Sequence, residues 1–164
     1  MFQVGDLILY GGTGVCRVIK VEERGEPKRL FYTLDPLYQT CSILTPADNE
    51  RVPMRPILTE QAALDLIDAM PAAKGAAFHG RSSRELSEYY ERAIKRYDCA
   101  ELVVLAKSIY TKREETLRQN RKFGALDERF LKKAEDLLYG ELGAALGLNR
   151  EEVPGFIRAR IGEK

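Results

Sequence analysis

The glycine-rich segment near the start of the chain is the first candidate for chemistry, because loops of this composition bind phosphate. Gly11-Gly12-Thr13-Gly14 lacks the G-x-G-x-x-G spacing, and no Gly-Lys-Ser/Thr follows it. It leads into an apolar, β-branched run, whereas a phosphate-binding loop opens a helix whose N-terminus holds the anion. We therefore interpret the segment as a hairpin turn whose glycines supply positive φ angles.

Cysteine and histidine are too few and too scattered to predict a metal or redox site. His79 is the only histidine, and Cys16, Cys41 and Cys99 are far apart, with no C-x-x-C pair. This spacing argues against zinc ligation and against a disulfide scaffold. Cys16 and Cys41 lie in apolar, β-like runs, so we expect both to be reduced core residues.

Carboxylates also give no catalytic set. The pairs Glu114-Glu115 and Asp127-Glu128 lie in charge-rich helical segments, and nothing there predicts the burial that separates the pKa values of an acid–base pair. We find no convincing Ser/His/Asp or Cys/His arrangement. We therefore expect a protein that is not an enzyme and that requires neither a cofactor nor a metal.

Composition is that of a globular protein with a solvated surface. The chain has 164 residues, of which 45% are hydrophobic and 31% are charged. No apolar run approaches the roughly 20 residues of a membrane-spanning helix, and the first residues lack the pattern of a secretion signal. We expect a cytoplasmic location.

Charge is distributed unevenly, although the net charge is only +1. Residues 1–58 carry 7 basic and 7 acidic side chains, whereas residues 92–133 carry 12 basic against 6 acidic ones. This local excess is compatible with binding to a phosphate backbone, and equally with an ordinary solvated helix face.

Hydrophobic periodicity divides the chain into two parts. Short apolar, β-branched runs bounded by Gly, Pro and Asp predict strands at residues 4–10, 15–21, 30–34, 42–45 and 52–57. Such spacing is typical of a small Tudor-like or SH3-like barrel, which is usually a recognition module. We place this domain at residues 1–58.

From Thr59 onward the period becomes helical, which predicts a compact domain of four or five helices at residues 59–164. Thr59 caps a helix to Met70, and a small-residue linker follows at residues 71–80. Asp127 is expected to cap a helix over residues 129–145 that ends near Gly147. Further capping signatures are Ser82 with Glu85, Asp98 with Glu101, and Asn149 with Glu152. The predicted fold class is therefore α+β, a small β-barrel followed by an all-helical domain.

Residues 2–18 (FQVGDLILYGGTGVCRV) resemble the start of the CarD/CdnL family of bacterial RNA polymerase-binding transcription regulators. The same opening also resembles the polymerase-binding domain of transcription–repair coupling factors. The order of barrel, linker and helical domain is more specific to CarD/CdnL, and the resemblance extends to about residue 158. Other matching segments are residues 32–34, the turn at 45–49, Met54-Arg55-Pro56 and residues 130–142 (FLKKAEDLLYGEL).

This resemblance implies two binding surfaces. The β domain would dock on the β subunit of RNA polymerase, with Arg17, Arg24, Lys28, Arg29, Tyr32 and Ile43 as candidate contacts. The helical domain would contact promoter DNA at the upstream edge of the bubble and tune the stability of the open complex. Candidate phosphate contacts are Arg92, Lys95, Arg96, Arg121, Lys122, Arg129, Lys132 and Lys133. Some relatives have a basic residue where this chain has Leu44.

One departure from the family concerns the residue that wedges into the minor groove. Members use a Trp, and this chain has none. The wedge position aligns with Leu86 or, in the other register, with Ser83. Leu86 can partly unstack a base step, or it is a first-turn core residue. Phe78 and His79 in the linker are further candidates.

A different interpretation remains open: the helical half binds a protein, and the chain is a polymerase-binding adaptor. The near-neutral total charge favours the adaptor, whereas the basic segment favours DNA.

Overall fold

Five short strands form one antiparallel sheet in the first third of the chain. The computed structural model describes residues 1–162. The strands are β1 (Leu7–Tyr10), β2 (Gly14–Arg24), β3 (Arg29–Pro36), β4 (Ile43–Pro46) and β5 (Met54–Pro56). Their order in the sheet is β4-β3-β2-β1-β5, so the last strand returns to pair with the first.

The glycine-rich segment forms the turn of the β1–β2 hairpin, as the sequence predicts. A 3-10 turn at Gly11–Thr13 joins the strands, and Tyr10 pairs with Gly14. Gly11 and Gly14 have φ angles of +44° and +91°, which side-chain-bearing residues rarely adopt.

A small apolar core lies inside the sheet, and the alternation of strand side chains decides its members. Its five buried residues are Ile8, Cys16, Val18, Tyr32 and Leu34. Cys41 is exposed, so the expectation of a core residue there is wrong. It lies in the turn between β3 and β4, where the apolar run has already been interrupted by polar residues.

Five α-helices of the described chain make up the second part. They are α1 (Glu60–Ala69), α2 (Ser83–Ile94), α3 (Cys99–Arg118), α4 (Ala125–Leu146) and α5 (Val153–Ile161). Helix α4 is central, since it packs against the other four helices and also against β2. The α+β fold class, with a β domain followed by helices, is confirmed. Within residues 1–162, no helix has the length and apolar character needed to cross a membrane.

Helix starts agree with the sequence at four caps and differ at one; the fourth is Asn149, which forms a capping box with Glu152 in the 3-10 turn before α5. Thr59, Ser82 and Asp98 each accept a hydrogen bond from a backbone N–H of the first helical turn. Asp127, expected as a cap, instead lies inside the first turn of α4, whose cap position is Gly124. The reason is tertiary: the Asp127 carboxylate is buried and bound by two side chains from other helices.

The linker between α1 and α2 is held against α3. Lys107 Nζ donates to the carbonyl of Ala73 at 2.8 Å, and Thr111 Oγ1 donates to the carbonyl of Gly75. A Cβ at Gly75 would lie 2.5 Å from the backbone nitrogen of Ser108. The absence of a side chain at Gly75 therefore permits this close approach.

Candidate partner-binding surfaces and the domain junction

A buried ion pair joins the sheet to the helical domain. Arg55 of β5 donates from both guanidinium NH₂ groups to the two carboxylate oxygens of Glu141 in α4, each at 2.7 Å. The Glu141 side chain is 2% exposed and that of Arg55 is 34% exposed. Such a bidentate pair in a low-dielectric site fixes both distance and orientation.

Glu141 has further partners, which complete its hydrogen bonding. The backbone N–H of Leu58 donates to Oε2 at 2.9 Å, and the Cys99 thiol donates to Oε1 at 3.2 Å. Burial, together with the neighbouring Glu141 carboxylate, raises the pKa of Cys99 well above its usual range. Arg55 also donates to the carbonyl of Tyr97, at 2.7 Å from one of its nitrogens. These hydrogen bonds connect the sheet to the helical domain. We call the residues that form them, Arg55, Leu58, Tyr97, Cys99 and Glu141, the junction.

A second contact of the junction lies one helical position away. Tyr38 donates its hydroxyl to the carbonyl of Gly140 at 3.2 Å, and a Cβ at Gly140 would meet the Tyr38 ring at 3.0 Å. The Arg150 guanidinium lies 4.5 Å from the centroid of the same ring. Arg55 belongs to Met54-Arg55-Pro56, and Glu141 belongs to residues 130–142. Two segments of the resemblance noted in the sequence therefore contact each other at the junction.

The two edges of the sheet are in different environments. The β5 edge lies against the helical domain through Arg55, whereas β4, at the opposite edge, pairs only with β3 within residues 1–162. Leu44 of β4 is 48% exposed. An open edge with an exposed apolar side chain can accept another strand.

The six candidate polymerase contacts divide into three groups. Arg24, Lys28 and Arg29 are exposed at or beside the ends of β2 and β3, where Arg24 pairs with Glu22 and Arg29 with Asp48. Arg17 is exposed further along β2, and Ile43 is half-buried at the start of β4.

Tyr32 is the exception among these six residues, because it is 2% exposed. Its hydroxyl accepts a hydrogen bond from the backbone N–H of Phe2, and its ring packs in the sheet core. Tyr32 is therefore a core residue, and it does not lie on the surface available to a partner. The even-numbered positions of β3 face inward, which decides this placement.

Several candidate DNA contacts do lie together on the helical domain. Arg129, Lys132 and Lys133 of α4 line one cleft, and Arg129 also borders a second cleft that contains Leu86. Lys122 shares a third cleft with Lys132. We call these five residues, Leu86, Lys122, Arg129, Lys132 and Lys133, the α4 face.

Other candidates lie elsewhere. Arg92 and Arg96 line a cleft between α2, α3 and the linker, which they share with Lys74, and Arg96 pairs with Glu101 at 2.9 Å. Lys95 and Arg121 are exposed at the ends of α2 and α3. The structure therefore does not gather all eight basic candidates into one patch.

Leu86 lies half-buried in the first turns of α2. It packs against the helical core and also lines the cleft with Leu126 and Arg129. Ser83, the alternative register, is exposed at the start of α2. In the linker, Phe78 stacks on Tyr89 with ring centroids 3.8 Å apart. His79 Nε2 lies 3.5 Å from Glu115 Oε2.

A buried charged cluster fixes α2, α3 and α4 relative to one another. Asp127 Oδ1 accepts from Lys112 Nζ at 3.0 Å and from the Tyr90 hydroxyl at 2.6 Å. Burial and the bond to Asp127 raise the pKa of Tyr90 far above its usual range. Three helices meet at one carboxylate, so the cluster sets the geometry on which the α4 face depends.

Reasoning from the sequence missed Arg55, Glu141, Tyr38 and Arg150. Arg55 and Glu141 lie within the segments of family resemblance, but nothing in either segment indicates that they pair across 86 residues. Arg150 follows the helix-capping residue Asn149, and only the fold brings it beside α4.

Comparison with known proteins agrees with this architecture. The family model described as CarD-like/TRCF RID domain matches residues 2–58, which include all five strands. No curated protein matches the chain. This type of domain interacts with RNA polymerase, and residues 2–58 are such a domain. The similarity to the CarD-like domain that interacts with RNA polymerase therefore covers residues 2–58 of the chain.

Proposed function

We propose that this protein is a non-enzymatic transcription regulator that docks on the β subunit of RNA polymerase and contacts promoter DNA at the upstream edge of the bubble. One observation supports this proposal most directly. The junction joins a polymerase-interacting domain, through the buried Arg55–Glu141 pair, to a helical domain with an exposed basic face. Docking of the N-terminal domain on polymerase would therefore determine where the helical domain is held. The proposal includes a cytoplasmic location, on polymerase at the nucleoid.

We assign residues 1–58 to docking, and the edge of β4 is the best-supported surface. It lies at the opposite edge of the sheet from β5, which carries Arg55, so a partner strand there would leave the Arg55–Glu141 pair in place. Backbone hydrogen bonds would supply affinity, and the side chains of Ile43 and Leu44 would supply selectivity. Arg17, Arg24, Lys28 and Arg29 are candidate flanking contacts.

We assign residues 59–164 to DNA contact, chiefly through the α4 face. Lysine and arginine contacts to phosphates position a protein without reading sequence. Tethering on polymerase raises the effective concentration at the promoter, so a modest intrinsic affinity for DNA is sufficient. Arg92, Lys95, Arg96 and Arg121 would extend the contact along the backbone.

The apolar element of the α4 face is Leu86, which takes the place of the family Trp in this proposal. It lies beside Arg129, so a phosphate contact and an apolar contact would fall on neighbouring parts of one DNA strand. Partial insertion of an apolar side chain unstacks a base step at a cost of a few kcal/mol, which the additional contacts offset.

The test is the lifetime of open promoter complexes formed by RNA polymerase, with and without the full-length protein. We expect wild-type protein to change the lifetime and Leu44→Asp to remove the effect, because a carboxylate at the open edge opposes strand docking. Arg129→Gln with Lys133→Gln should weaken the effect while polymerase binding persists. The control Arg158→Gln removes an exposed charge on α5 and should behave as wild type. An unchanged lifetime with wild-type protein that binds polymerase would overturn the regulatory role.

The adaptor interpretation has one observation in its favour. Lys132 and Arg96 are each paired with a neighbouring carboxylate, which lowers the positive charge available to DNA. Binding of the protein to promoter DNA without a salt-dependent slope, or no binding at all, would favour a protein partner for the helical domain.

A further inference from the structure

A cleft of about 400 Å³ lies between the β1–β2 turn and the first half of α4. The β domain contributes the turn residues Gly12, Thr13 and Gly14 together with Tyr38. The helical domain contributes the basic side chains of α4 and Arg150. The volume is at the lower end of the range for small-ligand sites, roughly 300 to 1,000 Å³.

The charge of this cleft is strongly positive. Four cations line it, Arg129, Lys132, Lys133 and Arg150, against the single carboxylate of Asp136. Lys132 pairs with Asp136 at 3.2 Å. Within residues 1–162, no carboxylate forms an ion pair with the other three cations. The net excess of positive charge is therefore available to an anion.

Two of the guanidinium groups are positioned by aromatic rings. Arg150 lies 4.5 Å from the centroid of Tyr38, and Arg129 lies 5.0 Å from that of Phe130. Stacking on a ring restrains a guanidinium group. Its N–H groups then point outward from the edge of the guanidinium plane, where an anion can accept two hydrogen bonds from them.

The junction keeps the two walls together. The Tyr38 hydroxyl bonds to the carbonyl of Gly140 at 3.2 Å, and a Cβ at Gly14 would lie 3.6 Å from Leu137. Both walls are thus fixed before a ligand arrives, which lowers the ordering cost of binding.

We propose that this interdomain cleft binds a phosphate group, and that Arg150 and Lys133 are its principal ligands. The inference rests on the proposed function if the phosphate belongs to the DNA backbone. In that case the β1–β2 turn of the polymerase-docking domain also touches DNA. The same chemistry would accept a free nucleotide, and the two sources are separated by experiment.

The first arm measures binding of a fluorescent promoter duplex to the full-length protein between low and moderate salt. Each phosphate contact contributes about 0.9 to the slope of log affinity against log salt. We expect Arg150→Gln and Lys133→Gln each to reduce the slope by about one. Arg150→Lys, which keeps the charge, should retain most of the slope.

The control is Lys20→Gln, an equal loss of charge on β2 away from the cleft. Tyr38→Phe keeps the ring and tests whether loosening the junction alone changes the slope.

The second arm titrates ADP into the same proteins by calorimetry. Loss of slope in the cleft variants without ADP binding supports a backbone phosphate. ADP binding that Arg150→Gln abolishes supports a free nucleotide, even if wild-type protein binds no DNA and the proposed function fails. If DNA binding has a normal slope that no cleft variant changes, and ADP does not bind, the cleft assignment is overturned while the proposed function stands.

Discussion

Replacement of Arg55 by methionine tests whether the junction depends on the buried charge of Glu141. The variant keeps an apolar stem of similar length but removes both guanidinium hydrogen bonds to the carboxylate. Glu141 would retain the N–H of Leu58 and the thiol of Cys99. Neither partner carries a positive charge, so a buried carboxylate would be left uncompensated.

The magnitude follows from the burial of the two groups. Removal of one partner of a buried ion pair costs about 3 to 5 kcal/mol. Arg55 is 34% exposed, so water can enter the space and the lower end, about 3 kcal/mol, is expected. Glu141→Gln should cost less, about 1 to 2 kcal/mol, because its carboxamide oxygen still accepts from Leu58 and Arg55 can reach solvent.

The assay is urea unfolding followed by far-ultraviolet circular dichroism. With a slope of about 2 kcal/mol per M of urea, the loss in Arg55→Met lowers the midpoint by about 1.5 M. The double variant Arg55→Met/Glu141→Gln contains no buried charge, so it should be less destabilised than the sum of the single variants by about 2 kcal/mol.

Two results would refute this reasoning. One is a midpoint for Arg55→Met within about 0.25 M of wild type, which corresponds to less than about 0.5 kcal/mol. The other is strict additivity in the double variant, since it would mean that the two groups do not interact energetically.

Three more predictions concern the helical domain and the thiols. Lys112→Met should destabilise the protein by about 3 to 5 kcal/mol, because it leaves the Asp127 carboxylate buried without its cation; a change below about 1 kcal/mol in thermal or urea unfolding would contradict this. Gly75→Ala should cost about 1 to 3 kcal/mol, because its Cβ would overlap the backbone of α3, and hydrogen exchange at the linker should increase; unchanged exchange would show that the linker is not held there. Of the three thiols, only Cys41 should react rapidly with a thiol reagent in the folded protein, because burial raises the pKa of Cys16 to about 11 and shields its sulfur; rapid reaction of two thiols would disprove the placement.

Much of the architecture follows from local sequence. Alternation of apolar side chains between Gly- and Pro-containing turns predicts the five strands, and the change to a helical period after Thr59 predicts the second part. The helix caps at Thr59, Ser82 and Asp98 are local hydrogen bonds between residues two or three positions apart. The turn at Gly11–Thr13 likewise depends on its own φ angles. Interactions of such short range can be inferred from sequence because the chain itself brings the partners together.

The tertiary structure decided the features that depend on distant partners. Asp127 is a residue type that commonly caps helices. In the structure its carboxylate lies in the interior, where it accepts hydrogen bonds from Lys112 and Tyr90 and the lysine compensates its charge. Tyr32 faces the core because the alternation of β3 directs it inward. Arg55 meets Glu141, and Arg150 meets α4, only after the helices pack on the sheet. Composition specifies which side chains can pair, but the three-dimensional path of the chain determines which of them become neighbours, and therefore which cations remain free for a partner.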